Sequence, residues 1–192
     1  MPLVAHNALP TFEKLRHEGL RVLAPGHANQ QDIRELHIGL LNMMPDAALE
    51  ATERQFLRLI GESNPIAQFF VHPFTLDALP RADTARDHIG KYYDSFDQIK
   101  QQGLDALIIT GANVIGADLS EEVFWESLIE VADWAHANVT STLCSCLATH
   151  AVLDFRYGRK RVKQRSKKWG VFRHQVVTPA HPLVAEINSV FD

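Results

Sequence analysis

Apolar residues along the chain form short continuous runs that alternate with longer runs of helical period. The continuous runs, typical of buried strands, are Arg21–Ala24, Leu36–Leu41, Ile66–Val71, Leu107–Thr110, the start of Val139–His150, and Val171–Val177. The helical pattern covers Thr11–Arg16, Ala47–Glu62, His88–Gln102 and Glu121–His136, with Asp46 and Ser120 as predicted N-caps and Pro73–Arg86 as a loop. This alternation predicts an α/β fold with an open, mostly parallel sheet flanked by helices.

Three predicted strand ends carry residues suited to chemistry. They are Asn42–Pro45, Thr110–Asn113 and Ser145–Cys146, and ligands of open parallel sheets bind beyond the carboxyl ends of the strands. Gly111 allows backbone N–H groups to approach a substrate closely, which makes it a candidate for half of an oxyanion hole. The alternative is a glycine that only makes the turn.

The run Val139–His150 begins with a strand pattern, continues with a helical one, and carries both cysteines at the junction. A strand that turns sharply into a helix can expose a nucleophile, provided that small residues lie two positions before and two after it. Around Cys146 these are Cys144 and Ala148, whereas Cys144 itself would still lie inside the strand. The pattern favours Cys146 as the nucleophile and the N–H of Leu147 as the second oxyanion-hole candidate. The alternative is a cysteine that only fills the core.

Composition limits the class of protein. With 192 residues, 46% hydrophobic and 22% charged, we expect one soluble domain over residues 1–192 with a sizeable core. No apolar run is long enough to span a membrane, and the first residues lack a signal pattern. Two cysteines separated by one residue are poorly placed to bridge each other. Together these features predict a cytoplasmic protein with no membrane partner.

Basic residues are concentrated in one block, Arg156–Lys168. It holds 8 of the 19 lysines and arginines and no acid, although the whole chain has a net charge of −4. Such a block is usually a solvated loop, and an anionic ligand or substrate tail is the second interpretation. Only Tyr157 and the flanking Trp169 are aromatic there, which argues against base stacking and a nucleic-acid partner.

Five further stretches carry family information: Leu41–Pro45, Thr52–Leu59, Asp105–Ala112, Val139–Leu143 and Gly170–Phe172. Together they resemble the homoserine O-acyltransferases of methionine biosynthesis, of the homoserine O-succinyltransferase type. The resemblance runs nearly from end to end and implies a fold similar to class I glutamine amidotransferases. It also implies a ping-pong reaction in which a cysteine takes the acyl group from acyl-CoA as a thioester, which the homoserine hydroxyl then attacks. The co-substrate is acyl-CoA, no metal or cofactor is expected, and the assembly expected is a homodimer.

The same resemblance implies roles for individual residues. Its nucleophile falls on Cys146, and its substrate-binding lysine falls on Lys167, next to Lys168. Ile115 falls on a position that helps to choose the acyl donor, where glycine goes with succinyl-CoA and glutamate with acetyl-CoA because a carboxylate repels the succinyl carboxylate. An isoleucine carries no such charge, so we favour succinyl-CoA, with acetyl-CoA as the alternative.

Two departures from the family pattern stand out. The family often has a lysine after the Met-Pro turn, where this chain has Asp46–Ala48. The family also continues past the position of Asp192, and its catalytic histidine and glutamate lie in that later part. His150 lies one helical turn from Cys146, but a helix would carry its side chain away from the exposed cysteine. We therefore expect an incomplete chain whose base lies beyond Asp192, with a non-catalytic relative or a glutamine amidotransferase-like hydrolase as alternatives.

Overall fold

The computed structural model describes residues 3–114, 116, 118–162, 164–166 and 170–191. The strands are β1 Leu3–Val4, β2 Val22–Leu23, β3 Glu35–Leu41, β4 Gln68–Phe74, β5 Ala106–Ile109, β6 Ser141–Cys144, β7 His174–Gln175 and β8 Val190–Phe191. The helices are α1 Pro10–His17, α2 Pro25–Ala28, α3 Leu49–Ser63, α4 Asp83–Tyr92, α5 Phe96–Gln102, α6 Trp125–Asn138 and α7 Leu147–Tyr157, with 3₁₀ turns at Asp46–Ala48 and Leu119–Glu121.

The chain divides into two compact units, Met1–Arg161 and Val162–Asp192. In the second unit, β7 and β8 form an antiparallel pair. In the first, six strands form one sheet in the order β2-β1-β4-β3-β5-β6, and each neighbouring pair is parallel. Parallel neighbours need crossover connections, which helices commonly supply. The predicted open parallel α/β fold is thus confirmed, whereas the likeness to glutamine amidotransferases and the single-domain organisation stay predictions.

Hydrophobic cores lie on both faces of the sheet. Leu40 of β3 belongs to a cluster with residues of α1 and α3, and the next residue, Leu41, belongs to a cluster with residues of α5, α6 and α7. Ile108 and Ile109 of β5 divide in the same way, because successive side chains of a strand point to opposite faces. Each fully buried leucine stabilises the fold by roughly 1.5–3 kcal/mol. The central strands β3 and β5 contribute buried side chains to both cores, so they make a large contribution to the stability of the fold.

The boundaries of β4 differ from the prediction. The strand continues to Phe74 and includes Pro73, which the sequence placed at the start of a loop. Strand β1 pairs with β4 only at Phe69. Near Pro73 the other side of β4 has an isolated bridge between Phe74 and Asp94, and the Asp94 N–H donates to the carbonyl of Pro73 at 2.9 Å. Proline lacks an N–H but keeps its carbonyl acceptor, so it is tolerated at this sparsely paired part of the strand. The predicted loop also ends early, because α4 begins at Asp83.

The predicted helix His88–Gln102 consists of two helices, α4 and α5. The chain is extended at Tyr93, and Ser95 starts α5 with a capping box. The Ser95 hydroxyl accepts the Gln98 backbone N–H at 3.2 Å, and the Gln98 side chain accepts the Ser95 N–H at 2.7 Å. This reciprocal pair satisfies two otherwise free donors, which explains why the chain breaks and restarts there.

The predicted N-caps at Asp46 and Ser120 are wrong. The cap positions of α3 and α6 are Ala48 and Phe124, since a 3₁₀ turn precedes each helix. The carboxylate of Asp46 instead accepts hydrogen bonds from the loop before α4. The predicted strand Val171–Val177 contains only β7. In the described ranges, no helix has both the length and the apolar character needed to cross a membrane.

A histidine cluster lies beside the sheet, in a region that the resemblance does not use. His37 Nδ1 and His72 Nε2 are 2.9 Å apart, and His72 Nδ1 lies 3.1 Å from Asp94 Oδ2. The rings of His6 and His72 are 4.6 Å apart, and the Gln102 amide contacts both His37 and His72. Burial and the neighbouring His72 lower the pKa of both His6 and His37, so the neutral forms are favoured in the fold.

Candidate functional site

The turn between β6 and α7 forms the predicted elbow. The Ser145 N–H donates to the carbonyl of Ile109 at 2.9 Å, which extends the β5–β6 pairing beyond the strand end, and the Thr149 hydroxyl donates to the carbonyl of Cys144 at 2.9 Å. Between these anchors Cys146 has φ 57° and ψ −116°, the one positive φ among the described non-glycine residues. Such a conformation costs on the order of 1–3 kcal/mol and is typical of functional sites.

The two cysteines differ in their surroundings. Cys146 is exposed, whereas Cys144 is half-buried and packs against the core cluster that contains Leu147 and Ala148. Burial raises the pKa of the Cys144 thiol, which keeps that thiol protonated. Because the thiolate is the nucleophilic form, this environment suits Cys144 to a packing role. The exposed Cys146 is the better placed of the two for chemistry.

Gly111 lies directly against Cys146. A Cβ added at Gly111 would be 3.1 Å from Cys146 Cβ, 3.3 Å from its Sγ and 3.6 Å from the backbone nitrogen of Leu147. The position is fixed through Thr110, whose N–H donates to the carbonyl of Leu41 at 3.0 Å and whose hydroxyl accepts the Met43 N–H at 2.9 Å. The close approach therefore requires a residue without a side chain at position 111.

The predicted oxyanion-hole donors both lie beside Cys146. Leu147 is the first residue of α7, where backbone N–H groups lack intrahelical acceptors and the helix dipole is positive. Within the described part of the chain, the N–H groups of Leu147 and Gly111 donate no hydrogen bond. Two free donors next to an exposed thiol can stabilise an oxyanion formed on an attacked carbonyl. Their catalytic role stays a prediction.

The loop Asn42–Pro45, at the carboxyl end of β3, is held by a buried asparagine. Asn42 is 0% exposed, and its Nδ2 donates to the carbonyl of Leu49 and to the hydroxyl oxygen of Tyr93, both at 3.0 Å. Its Oδ1 accepts the Met44 N–H at 3.3 Å. With both ends of its amide engaged, Asn42 fixes the path of the loop, a function that the sequence analysis did not assign to it.

Arg81 clamps the same loop from the other side. Its side chain is 6% exposed. Nη1 donates to the carbonyl of Met44 and to Asp46 Oδ1, and Nη2 donates to the carbonyl of Asn42 and the Thr75 hydroxyl, both at 3.2 Å. The Ala82 N–H and the Arg81 guanidinium hold the pKa of Asp46 below its ordinary value. Sequence reasoning missed Arg81, since these acceptors lie 6 to 39 positions away.

A buried carboxyl group supports Asn42 from beneath. Glu53 is 0% exposed and accepts hydrogen bonds from Thr11 Oγ1 at 2.8 Å and from the Tyr93 hydroxyl at 2.6 Å, and its Oε1 lies 2.8 Å from His88 Nε2. Burial and the neighbouring Glu53 raise the pKa of Tyr93, so its hydroxyl stays protonated and can donate. Glu53, Tyr93 and Asn42 thus form one continuous hydrogen-bonded series.

The remaining predicted site residues add nothing to this arrangement within the described part of the chain. Ile115, Lys167 and Lys168 lie outside the described residues. His150 is exposed on α7, and among the described side chains no histidine is hydrogen-bonded to the Cys146 thiol. Among the described residues, the structure therefore brings together Cys146, Leu147 and Gly111 but no general base.

Known proteins are similar to the chain over its whole length. The family model described as "Homoserine O-succinyltransferase" matches residues 2–192. Proteins named homoserine O-succinyltransferase from Thiobacillus denitrificans and Allochromatium vinosum are each 68% identical to the chain, and one from Methylococcus capsulatus is 62% identical. All three matches cover 100% of this chain but only 54–55% of the relative, so the chain spans about half the length of these proteins. The chain belongs to the homoserine O-succinyltransferase family.

Proposed function

We propose that Cys146 carries a succinyl group from succinyl-CoA to the hydroxyl of L-homoserine, a step of methionine biosynthesis. The observation that carries this proposal is the exposed thiol on strained backbone, closely approached by Gly111. Membership of the family supplies the substrates, since the relatives are named for this transfer.

The transfer has two halves. In the first, the Cys146 thiolate attacks the thioester carbonyl of succinyl-CoA, and the tetrahedral oxyanion is stabilised by the N–H groups of Leu147 and Gly111. Expulsion of the CoA thiolate, which then takes up a proton, leaves succinyl-Cys146. In the second half, the homoserine oxygen loses its proton to a base and attacks the new thioester. Cys146 leaves as thiolate and O-succinylhomoserine is released. The base and its acidic partner stay predictions from the family resemblance, which places them beyond Asp192.

The choice of donor is part of the proposal. The matched family and the relatives are named for succinyl transfer, which favours succinyl-CoA over acetyl-CoA. A cytoplasmic homodimer is also proposed on the basis of the family, and two unbridged cysteines suit a reducing compartment. Sedimentation of the purified protein would reveal any state other than a dimer.

The test is intact-mass spectrometry of a full-length version of the protein, which would include the predicted base, after incubation with either acyl-CoA and without homoserine. We expect a succinyl adduct on the wild-type protein and on the matched control Cys144→Ser, no adduct on Cys146→Ser, and loss of the adduct when homoserine is added. Faster labelling by acetyl-CoA than by succinyl-CoA would show that acetyl-CoA is the preferred donor. Hydrolysis of glutamine without acyl transfer would instead support an amidotransferase-like hydrolase.

A further inference from the structure

A cavity of about 380 Å³ lies beyond the carboxyl ends of β3 and β5. We call it the edge cavity. Its walls include Met43 and Pro45 from the β3 loop and Asn113 from the loop after β5, with Val123 and Phe124 from the segment before α6. Asn113 is two residues after Gly111 in the chain, and a Cβ added at Gly111 would contact Cys146. The edge cavity is therefore next to the elbow, although neither Cys146 nor Gly111 lines it.

We propose that the edge cavity binds the pantetheine arm of the acyl-CoA whose acyl group is transferred to Cys146. This inference rests on the proposed function and adds a binding site for a part of the donor that does not react.

The distances suit this occupant. Neighbouring strands are about 4.8 Å apart, β5 lies next to β6, and β3 lies next to β5. The loop after β3 is thus about 10 Å from the elbow across the sheet edge. A pantetheine arm whose thioester carbonyl meets Cys146 can cross this separation in an extended form, passing over the β5 loop into the edge cavity.

The polarity of the lining selects a neutral, amphipathic ligand. Six of the wall residues are apolar: Met43, Pro45, Leu79, Pro80, Val123 and Phe124. The charged groups on the wall already have partners, since both Nη atoms of Arg81 donate hydrogen bonds and Glu122 accepts the Gly116 N–H at 2.9 Å, although the buried Nε of Arg81 has no partner among the described residues. An anionic phosphate, a succinyl carboxylate or the zwitterion of an amino acid would be poorly neutralised here. The methyl and methylene groups of pantetheine match the apolar walls.

Asn113 provides the polar contact that the amide groups of pantetheine need. It is exposed on the cavity wall, and its side chain has no hydrogen-bond partner within the described residues. Its amide can donate to one carbonyl of the arm and accept from one N–H. The opposite wall is preformed, because Arg81 and Asn42 hold the β3 loop in place. A preformed wall lowers the entropic cost of binding.

Saturation-transfer NMR with CoA, under reducing conditions, tests the proposal without requiring acylation. For the wild-type protein we expect strong transfer to the paired methyl groups of pantetheine and weaker transfer to the adenine protons. In Val123→Trp, which fills the cavity from its rim, the methyl signal should fall at least fivefold. Val123 is 71% exposed and Ile66, outside the cavity lining, is 69% exposed, so Ile66→Trp is the matched control and should keep the signal. Asn113→Ala, another exposed change, should weaken CoA binding about fivefold, the effect of one hydrogen bond.

Three results would overturn the proposal: no transfer to the methyl groups in the wild type, equal signals in Val123→Trp and wild type, or equal losses in both tryptophan variants. Failure of the proposed function has a different signature, since CoA would bind in this pattern while no adduct formed on Cys146. As a further check, Val123→Trp should slow labelling of Cys146 by succinyl-CoA and leave labelling by an aryl succinyl thioester, which has no pantetheine arm, unchanged.

Discussion

Replacing Gly111 by alanine tests the geometry of the elbow most directly. The new methyl carbon would lie 3.1 Å from Cys146 Cβ and 3.3 Å from its Sγ, whereas carbon atoms in favourable contact are about 3.5–4.0 Å apart. One of the two groups must move by a few tenths of an ångström. Cys146 has little freedom to do so, because its backbone already has φ 57° and is tied by hydrogen bonds on both sides.

The expected cost follows from this displacement. Overpacking of a well-packed site costs roughly 1–3 kcal/mol, and a misplacement of 1 Å at a reacting centre can reduce rates by about 10²-fold. For a smaller shift we expect the rate of Cys146 acylation by succinyl-CoA to fall at least about tenfold, measured by the growth of the adduct mass. Thermal unfolding should shift down by roughly 2–4 °C per kcal/mol lost, because the added methyl group lies at a buried, closely packed position.

Gly90→Ala is the matched control. Gly90 lies in α4, and an added Cβ would have no neighbour within 4 Å, so this change should leave acylation unaltered and stabilise the helix by about 0.5–1 kcal/mol. If Gly111→Ala acylated within twofold of the wild type, the close approach of Gly111 to Cys146 would have no catalytic importance and the oxyanion-hole assignment would be refuted.

Three further predictions concern stability and can be measured by urea unfolding. Arg81→Met should cost about 1–3 kcal/mol, because the carbonyls of Asn42 and Met44 and the carboxylate of Asp46 lose their donor; a loss below about 1 kcal/mol would contradict the clamp. Glu53→Gln should cost about 1–3 kcal/mol through its buried partners, whereas Glu50→Gln, at an exposed ion pair, should cost less than about 1 kcal/mol. Since the pKa values of His6 and His37 are lowered in the fold, the unfolded chain takes up protons first as the pH falls. The contribution of these histidines to the free energy of unfolding should be present in full above pH about 6.5 and should decrease below it. A free energy of unfolding that does not change between pH 7.5 and 5 would contradict this.

The central part of the fold could be predicted from the sequence because its signals are local and long. The apolar run Leu36–Leu41 and the helical stripe after Ala47 matched β3 and α3 within a few residues. Two-residue strands such as β1 carry no period and cannot be found this way. The Ser95–Gln98 pair has the sequence signature of a capping box, but it lies inside a longer helical pattern that predicted one continuous helix.

The site also contains residues that the sequence predicts and residues that it does not. Cys146, Leu147 and Gly111 could be grouped from the sequence, since the carboxyl ends of parallel strands meet at one edge of the sheet. Arg81 and Tyr93 could not be assigned to the site from the sequence. Their hydrogen-bond acceptors come from other segments of the chain, and neither residue belongs to a recognisable sequence motif. The small residues around Cys146 predicted a sharp turn, but its positive φ, and the crowding that places an added Cβ at Gly111 only 3.3 Å from Cys146 Sγ, required the structure.

The strained backbone of Cys146 lowers the stability of the fold at the residue on which the proposed activity depends. Glycine adopts a positive φ freely, so Cys146→Gly would remove roughly 1–3 kcal/mol of strain, against about 0.5–1 kcal/mol of added chain entropy in the unfolded state. A directed-evolution campaign that selected only for heat resistance would therefore tend to discard the residue on which the proposed chemistry depends. Libraries built on this chain should keep position 146 fixed, and a stabilised clone that has lost this cysteine would be an early sign that the screen has drifted from activity.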